Sequence, residues 1–261
     1  MTKIYFIIWL FLSINSIAQN NFNHFFKEAG VTGSITIYDL NNNRWIYSDS
    51  LDANKATLPA STFKVINSCI ALEEGIIKDE HEIIKWDGKK RYLDVWNQDT
   101  NLELAYKNST VWFHEALAKK MGRKTYVNYL NACHYGNGNL SEKGVNFWVY
   151  GSFGITPVNQ IQFLISFYQE KKTLPFSLHT YTTVKKIMIS EETDTYTFRD
   201  KTGWTIKDGQ DIGWWIGYIE NKKNVYFFAT RIIKPESVDN PRFLNARKEI
   251  TKAVLKEIGA I

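Results

Sequence analysis

A serine and a lysine one helical turn apart are the first residues of this chain that could do chemistry together. Ser61 and Lys64 open a stretch, residues 59–72, that is apolar on nearly every side and is therefore predicted to form a buried helix. At 3.6 residues per turn the two side chains share one face of that helix. Lysine is seldom fully buried without a partner. Lys64 is therefore a candidate base beside a candidate nucleophile, Ser61.

The Ser-x-x-Lys spacing is a weak signal when it stands alone. Average composition produces this spacing by chance about once in a few hundred residues. A solvated lysine on an amphipathic helix is the simpler interpretation of the motif alone. The apolar surroundings of the predicted helix argue against that interpretation, and the other motifs of the chain must decide.

Two further motifs place hydroxyl, amide and aromatic groups in the middle of the chain. Ser109-Thr110-Val111 lies at the start of a helix predicted over residues 110–121, which Gly122 is expected to end. The simpler role for these hydroxyls is to cap the helix. Tyr135-Gly136-Asn137 lies in a turn rich in glycine and asparagine, and turn formation is as good an explanation for it as function.

The motif Lys201-Thr202-Gly203-Trp204 is expected just after a strand predicted over residues 193–200. Thr202 and Gly203 at a strand edge would allow a substrate backbone to approach closely. Lys201 offers a positive charge for a carboxylate or a proton relay. An ordinary exposed edge strand is the simpler alternative.

Arg247 is expected to point inward from the last helix, which Pro241 opens and which extends to about Ile258. It lies within that helix's apolar stripe, four residues after Phe243 and three before Ile250. An inward arginine needs an anionic partner. A substrate carboxylate and an internal salt bridge both remain open as that partner.

Composition limits the classes of function. The chain has 261 residues, 44% hydrophobic and 23% charged, so it can bury a sizeable core. The net charge of +5 comes without a basic run, and we expect no nucleic-acid partner. The five histidines are scattered and do not have the spacing typical of metal ligands, so no metal site is predicted. Cys69 and Cys133 do not demand a disulfide, and Cys69 is expected to behave as a small apolar side chain.

The order of the predicted elements is strands, helices, strands and a helix. A helix over 21–30 and a hairpin over 33–48 come first, and strands resume over 193–200, 211–219 and 225–232. This order predicts an α+β (mixed α/β) fold. Its antiparallel sheet is flanked by N- and C-terminal helices, and a mainly helical lobe is inserted. We expect one domain over 19–261, with a sheet lobe about 19–60 and 191–261 and a helical lobe about 61–190.

Residues 1–18 are predicted to be a secretory signal peptide. Lys3 precedes an apolar run over residues 4–12, and Ser16-Ile17-Ala18 supplies small residues before a cleavage site. The apolar run is short for a membrane span, although an uncleaved anchor is the alternative. We therefore expect an exported, periplasmic protein with no membrane span in its mature form.

Taken together and in this order, the four motifs resemble those of the class D β-lactamases, the oxacillinases, within the serine β-lactamase/penicillin-binding superfamily. The resemblance extends to residues 147–151, to residues 213–217, and to Arg247 with the helix after it. It covers essentially the whole mature chain. Val111 stands where class A enzymes carry asparagine, an apolar change that fits class D and makes the surroundings of Lys64 drier.

The resemblance implies a serine β-lactamase fold and the hydrolysis of β-lactam antibiotics, which confers resistance. Ser61 would form an acyl-enzyme, and Lys64, carbamylated by CO2, would act as general base in acylation and deacylation. No diffusible cofactor is implied, and small-molecule β-lactams are the expected partners of a monomer or homodimer. Ser109 and Lys201 would transfer protons. The Trp148 indole would donate a hydrogen bond to the carbamate, and Val111 would line the carbamate pocket. The substrate would meet an oxyanion hole made by the backbone N–H groups of Ser61 and Trp204, a close approach at Gly203, and a carboxylate site at Thr202 and Arg247.

Three alternatives share parts of this pattern. A β-lactam sensor domain would be acylated without turnover and would normally follow membrane spans. A penicillin-binding transpeptidase would pass its acyl group to an amine. A binding module would keep the fold without reacting.

Overall fold

The computed structural model describes residues 18–19 and 21–261, so the predicted signal peptide lies outside the described residues except for Ala18. The strands are β1 (Ala18–Gln19), β2 (Thr32–Asp39), β3 (Arg44–Tyr47), β4 (Ile189–Glu192), β5 (Tyr196–Lys207), β6 (Gln210–Asn221) and β7 (Val225–Pro235). The helices are α1 (Asn23–Glu28), α2 (Lys64–Glu73), α3 (Leu102–Lys107), α4 (Val111–Ala132), α5 (Pro157–Tyr168), α6 (Leu178–Ile187) and α7 (Phe243–Glu257). Short 3-10 turns cover Asp52–Asn54, Ala60–Phe63 and Asp94–Trp96.

The strands form a seven-stranded sheet in the order β1-β3-β2-β7-β6-β5-β4. Strand β1 runs parallel to β3, and every other neighbouring pair is antiparallel. The early hairpin joins the late strands through the pairing of β2 with β7. The predicted α+β class and the predicted closure of one sheet are both confirmed.

Two apolar clusters cover the two faces of the sheet. On one face, α1 and α7 pack against β2, β6 and β7, with Phe26, Trp215 and Ile250 among the buried residues. On the other face, α2, α4, α5 and α6 form the larger cluster, with Phe63 and Trp214 in it. Within the described residues no helix is both long and apolar enough to span a membrane.

Capping residues set the start of α5 as the sequence indicates. Thr156 is the N-cap and accepts a hydrogen bond from the Asn159 N–H, and Pro157 occupies the first helical turn. The predicted end of α4 at Gly122 is only half right. Gly122 leaves helical geometry (φ 76°, ψ 164°), but the helix resumes beyond it because Tyr126 and Leu130 supply a new buried stripe.

Strand β5 is longer than predicted, and this corrects the placement of the Lys201 motif. The strand does not end at Asp200 but pairs with β6 up to Lys207, so Lys201–Trp204 lie inside it. Its pairing with β4 ends at Ile189–Arg199. Among the described residues no strand pairs with β5 beyond that point. The Lys201 motif therefore lies at an open sheet edge, as expected, but within the strand.

Candidate active site

Ser61 and Lys64 are in contact at the start of α2. Ser61 lies in the 3-10 turn that leads into α2, and Lys64 is the first residue of the helix. The Lys64 Nζ–H donates to Ser61 Oγ at 2.7 Å. Lys64 is only 1% exposed. Burial lowers the pKa of its amine to about 7, against the opposing influence of the Glu115 carboxylate.

Aromatic side chains pack around the segment that carries this pair. Phe63 stacks on Trp148, with ring centroids 4.9 Å apart and planes 8° apart, and Phe147 meets Phe63 edge-on. The backbone connects the two segments, because the Ala60 N–H donates to the Trp148 carbonyl at 2.9 Å. Ala60 also adopts a left-handed φ of 52°, which few non-glycine residues do. The turn that carries Ser61 is therefore held by a hydrogen bond from outside itself.

A second lysine–serine pair lies opposite the first. The Lys201 Nζ–H donates to Ser109 Oγ at 2.6 Å, and the amine lies 5.5 Å from the centre of the Tyr106 ring. Burial, and next the charge on Lys64, hold the pKa of Lys201 well below its usual range, while Asp200 opposes them. The two amines therefore lie within each other's electrostatic field.

The helix-cap explanation for residues 109–111 is wrong. Thr110 is the N-cap residue of α4, but its side chain accepts no hydrogen bond from the helix, and its buried hydroxyl lacks a partner among the described residues. Ser109 has a left-handed φ of 53°, and its hydroxyl is bound by Lys201. Ser109 is thus positioned for contact with β5.

Gly203 brings β5 against the turn that carries Ser61. A Cβ atom at position 203 would lie 2.8 Å from the Pro59 carbonyl oxygen and 3.3 Å from the Ser61 nitrogen, so only glycine fits without displacement. On the other side of the strand, the Arg247 guanidinium donates to the Gly203 carbonyl at 2.5 Å. Burial lowers the pKa of Arg247 to about 10, opposed by Asp200.

Arg247 points inward as predicted, and it is 9% exposed. None of the ion pairs in the described part of the chain includes it. The internal salt bridge that remained open in the sequence is therefore not the explanation for Arg247.

These elements enclose a cavity of about 800 Å³. Seven of the predicted site residues line it: Ser61, Ser109, Val111, Thr202, Gly203, Trp204 and Arg247. The other three, Lys64, Trp148 and Lys201, lie buried behind this wall. The structure thus brings together all ten predicted residues, with hydroxyls facing the cavity and amines behind them.

Tyr135-Gly136-Asn137 has a structural role. The Tyr135 hydroxyl donates to Gln160 Oε1 at 3.0 Å, and the Gln160 amide donates to Thr62 Oγ1 at 2.8 Å. Asn137 accepts from the Gly154 N–H and donates to the Ser152 carbonyl. The turn therefore supports the Ser61 segment through the hydrogen bonds of Gln160, and none of its residues lines the cavity.

Two residues of α4 next to the site were not identified from the sequence. His114 is fully buried, and neither ring nitrogen has a hydrogen-bond partner among the described residues. Burial, and next the charges on Lys64 and Lys201, hold the pKa of His114 well below its usual range. Glu115 lines the cavity and accepts a hydrogen bond from the Asn146 amide at 2.8 Å. Its spacing four residues after Val111 is the signal that identifies it.

Cysteines and metal ligands are not part of the site. Cys69 and Cys133 are buried free thiols, and burial raises the pKa of each, that of Cys133 to about 12. In the described ranges no three His, Cys, Asp or Glu side chains cluster so that they could hold a metal ion.

The fold and this pair of lysine–serine contacts define a protein of the penicillin-binding type. The sequence matches the penicillin binding protein transpeptidase domain family over residues 18–258. This match covers most of the chain and includes every residue of the candidate site.

Individual relatives narrow the assignment. The chain is 38% identical over 239 residues to the β-lactamase OXA-48 of Klebsiella pneumoniae, an alignment that covers 92% of this chain and 88% of that protein. It is similar to the crystal structure of a class D β-lactamase from Sebaldella termitidis, with a TM-score of 0.90, 46% identity, and coverage of 94% and 98%. It is also similar to FUS-1 (OXA-85), a class D β-lactamase from Fusobacterium nucleatum, with a TM-score of 0.85, 34% identity, and coverage of 92% and 98%. The chain belongs to the class D β-lactamase family, as the motifs predicted.

Proposed function

We propose that this chain hydrolyses β-lactam antibiotics through an acyl-enzyme on Ser61, with Lys64 providing the general base. The observation that carries the proposal is the 2.7 Å contact between Ser61 Oγ and a lysine amine that is only 1% exposed, beside a cavity of about 800 Å³. A hydroxyl within hydrogen-bond reach of a base of lowered pKa is the arrangement that nucleophilic catalysis needs.

In acylation, Ser61 Oγ bonds to the lactam carbonyl carbon and the ring C–N bond breaks. The hydroxyl proton leaves toward Lys64, and the departing nitrogen must receive a proton. Ser109 and Lys201 relay to it the proton that Lys64 took from Ser61, which their 2.6 Å contact beside the cavity supports. The backbone N–H groups of Ser61 and Trp204 serve as the oxyanion hole, supported by the close approach of Gly203 to the Ser61 nitrogen.

The surroundings of Lys64 fit its reaction with CO2. Only a neutral amine attacks CO2, and a pKa near 7 leaves a large neutral fraction at neutral pH. A carbamate on Lys64 would supply the general base for both half-reactions. Val111 and Trp148 are proposed to line and hold it, and the burial of Trp148 against Phe63 supports this role. Deacylation then needs one water: its oxygen bonds to the acyl carbon, the bond from that carbon to Ser61 Oγ breaks, and one water proton passes through the carbamate to Ser61 Oγ.

Substrate binding is assigned to the β5 side of the cavity. Arg247 and Thr202 are proposed to hold the carboxylate that β-lactams carry next to the ring nitrogen. Arg247 has a buried positive charge with no carboxylate of the described chain in ion-pair contact, and both residues line the cavity. Gly203 and Trp204 flank the position of the acyl group.

We also propose the wider setting that the sequence predicts. Residues 1–18 act as a cleaved signal peptide, and residues 19–261 form one catalytic domain that acts in the periplasm. The enzyme needs no diffusible cofactor there, and its activity confers resistance on the cell.

Turnover of a chromogenic cephalosporin tests the proposal. Steady hydrolysis with many turnovers per enzyme supports it. A burst of one equivalent followed by arrest favours a sensor domain or a transpeptidase, and added amine acceptors restart only the transpeptidase. Absence of acylation, read by intact-protein mass spectrometry, would leave only a binding module. Ser61→Ala is the matched control for every assay.

A further inference from the structure

In the described part of the chain, four charged residues line the active-site cavity: Arg91, Lys107, Glu115 and Arg247. Arg91 binds both carboxylate oxygens of Asp87, at 2.8 and 2.9 Å. Lys107 pairs with Glu103 at 2.9 Å. Within the described residues this leaves two cavity charges of opposite sign without an ion-pair partner, Arg247 and Glu115.

The position of Glu115 is fixed although no ion pair of the described chain includes it; its charge also acts at longer range on Arg91, which binds Asp87. It lies one turn after Val111 on α4, so both side chains face the cavity. The Asn146 amide donates to Oε1 at 2.8 Å and holds the side chain. An amide carries no net charge, so the carboxylate remains available to a cation. Its field reaches the buried site, because Glu115 is the carboxylate that raises the pKa of Lys64 against the effect of burial.

We propose that Glu115 is a specificity residue that favours β-lactams carrying a positively charged substituent. A zwitterionic substrate would place its ring carboxylate at Arg247 and an ammonium or amidinium group at Glu115. The two unpaired cavity charges are complementary to such a molecule, whereas a substrate with a neutral side chain leaves Glu115 unpaired. This inference rests on the proposed hydrolysis of β-lactams and names the substrate class within it.

Ampicillin and benzylpenicillin provide the test, because ampicillin differs by one ammonium-forming amine on its side chain. We expect Glu115→Gln to lower the ratio of kcat/KM for ampicillin to that for benzylpenicillin about fivefold, mainly through KM. Carbenicillin, which carries a second carboxylate, should instead gain relative to benzylpenicillin. Glu249→Gln, which removes a surface carboxylate paired with Arg242, is the control and should leave all ratios unchanged.

The native enzyme offers a second readout that does not depend on a variant. Its preference for ampicillin over benzylpenicillin should decline as pH rises and the ampicillin ammonium loses its proton near neutrality. Unchanged ratios in Glu115→Gln, or equal losses for all three substrates, would overturn the role of Glu115. Failure of the native enzyme to turn over benzylpenicillin at all would instead overturn the proposed function.

Discussion

The two lysine–serine pairs differ in their surroundings much more than in their geometry. Lys64 contacts Ser61 at 2.7 Å and Lys201 contacts Ser109 at 2.6 Å, and both amines are at least nine-tenths buried. Lys64 follows Phe63, which stacks on Trp148, and the carboxylate of Glu115 raises its pKa against the effect of burial. Lys201 lies among other charges, three of them positive. The surroundings of Lys64, with few charges, suit an amine that must react. The surroundings of Lys201, with several charges, suit a group that relays protons.

The largest expected effect comes from removing the Lys64 amine, the proposed general base. Lys64→Met should lower kcat/KM for a penicillin by about 10³-fold or more, because general base catalysis is lost in both half-reactions. Methionine keeps the volume of the side chain and removes a buried charge, so thermal stability should not fall. The exposed Lys119→Met is the control. Near-native turnover by Lys64→Met would remove the basis for treating the two pairs differently.

A smaller and more selective loss is expected at the second pair. Lys201→Met should slow acylation about 10²-fold, because the leaving nitrogen then lacks its proton source. Deacylation should stay within a few-fold of native, since the nitrogen has already departed. Stopped-flow acylation and the decay of isolated acyl-enzyme separate the two steps. Equal losses in both would show that Lys201 shares the task of Lys64.

The next effect is expected at Arg247, which is proposed to bind the substrate carboxylate. Arg247→Ala should raise KM for benzylpenicillin about tenfold with a smaller change in kcat, because a hydrogen bond to a charged group is lost. The methyl ester of benzylpenicillin, which has no carboxylate, should lose much less. A similar loss for acid and ester would assign Arg247 to holding the Gly203 carbonyl only.

Changes in pH and in CO2 concentration should alter activity through the Lys64 amine. The pKa of Lys64 is lowered to about 7, so its amine is neutral above that pH and protonated below it. In CO2-poor buffer, activity should fall about tenfold for each unit of pH below 7. Added bicarbonate should restore part of it and give a carbamate signal in ¹³C NMR. Equal activity with and without bicarbonate would contradict carbamylation.

The smallest effect on turnover is expected at His114, where stability is the readout. Its folded-state pKa lies well below its usual value of 6.5, so only the unfolded chain takes up the proton as pH falls. The native protein should therefore lose unfolding free energy between pH 7.5 and pH 5 through this residue, up to about 2 kcal/mol. His114→Phe should remove that loss in denaturant titrations. The exposed His24→Phe is the control and should retain it.

Local sequence patterns were enough to predict the helix with Ser61 and Lys64, the inward Arg247 and the single sheet. They failed where distant partners decide. Strand β5 continues past Asp200 because β6 pairs with it, although lysine and glycine there weaken the local strand signal. The capping role expected of the hydroxyls at 109 and 110 is not observed, and the Ser109 hydroxyl is instead bound by Lys201 of the distant strand β5. The environment of His114 depends on Lys64 and Lys201, which lie 50 and 87 residues away in the chain.

The pairing of β2 with β7 joins residues 201 positions apart, as between Thr32 and Ile233. Such a contact cannot form until synthesis has passed β7, and the entropy of closing so large a loop slows its formation. The strand that carries Lys201 reaches the early hairpin only through β6 and β7. A nascent chain that lacks β6 and β7 therefore holds Ser61 but not the opposite wall of the cleft, and the cleft is assembled only once both strands have been made.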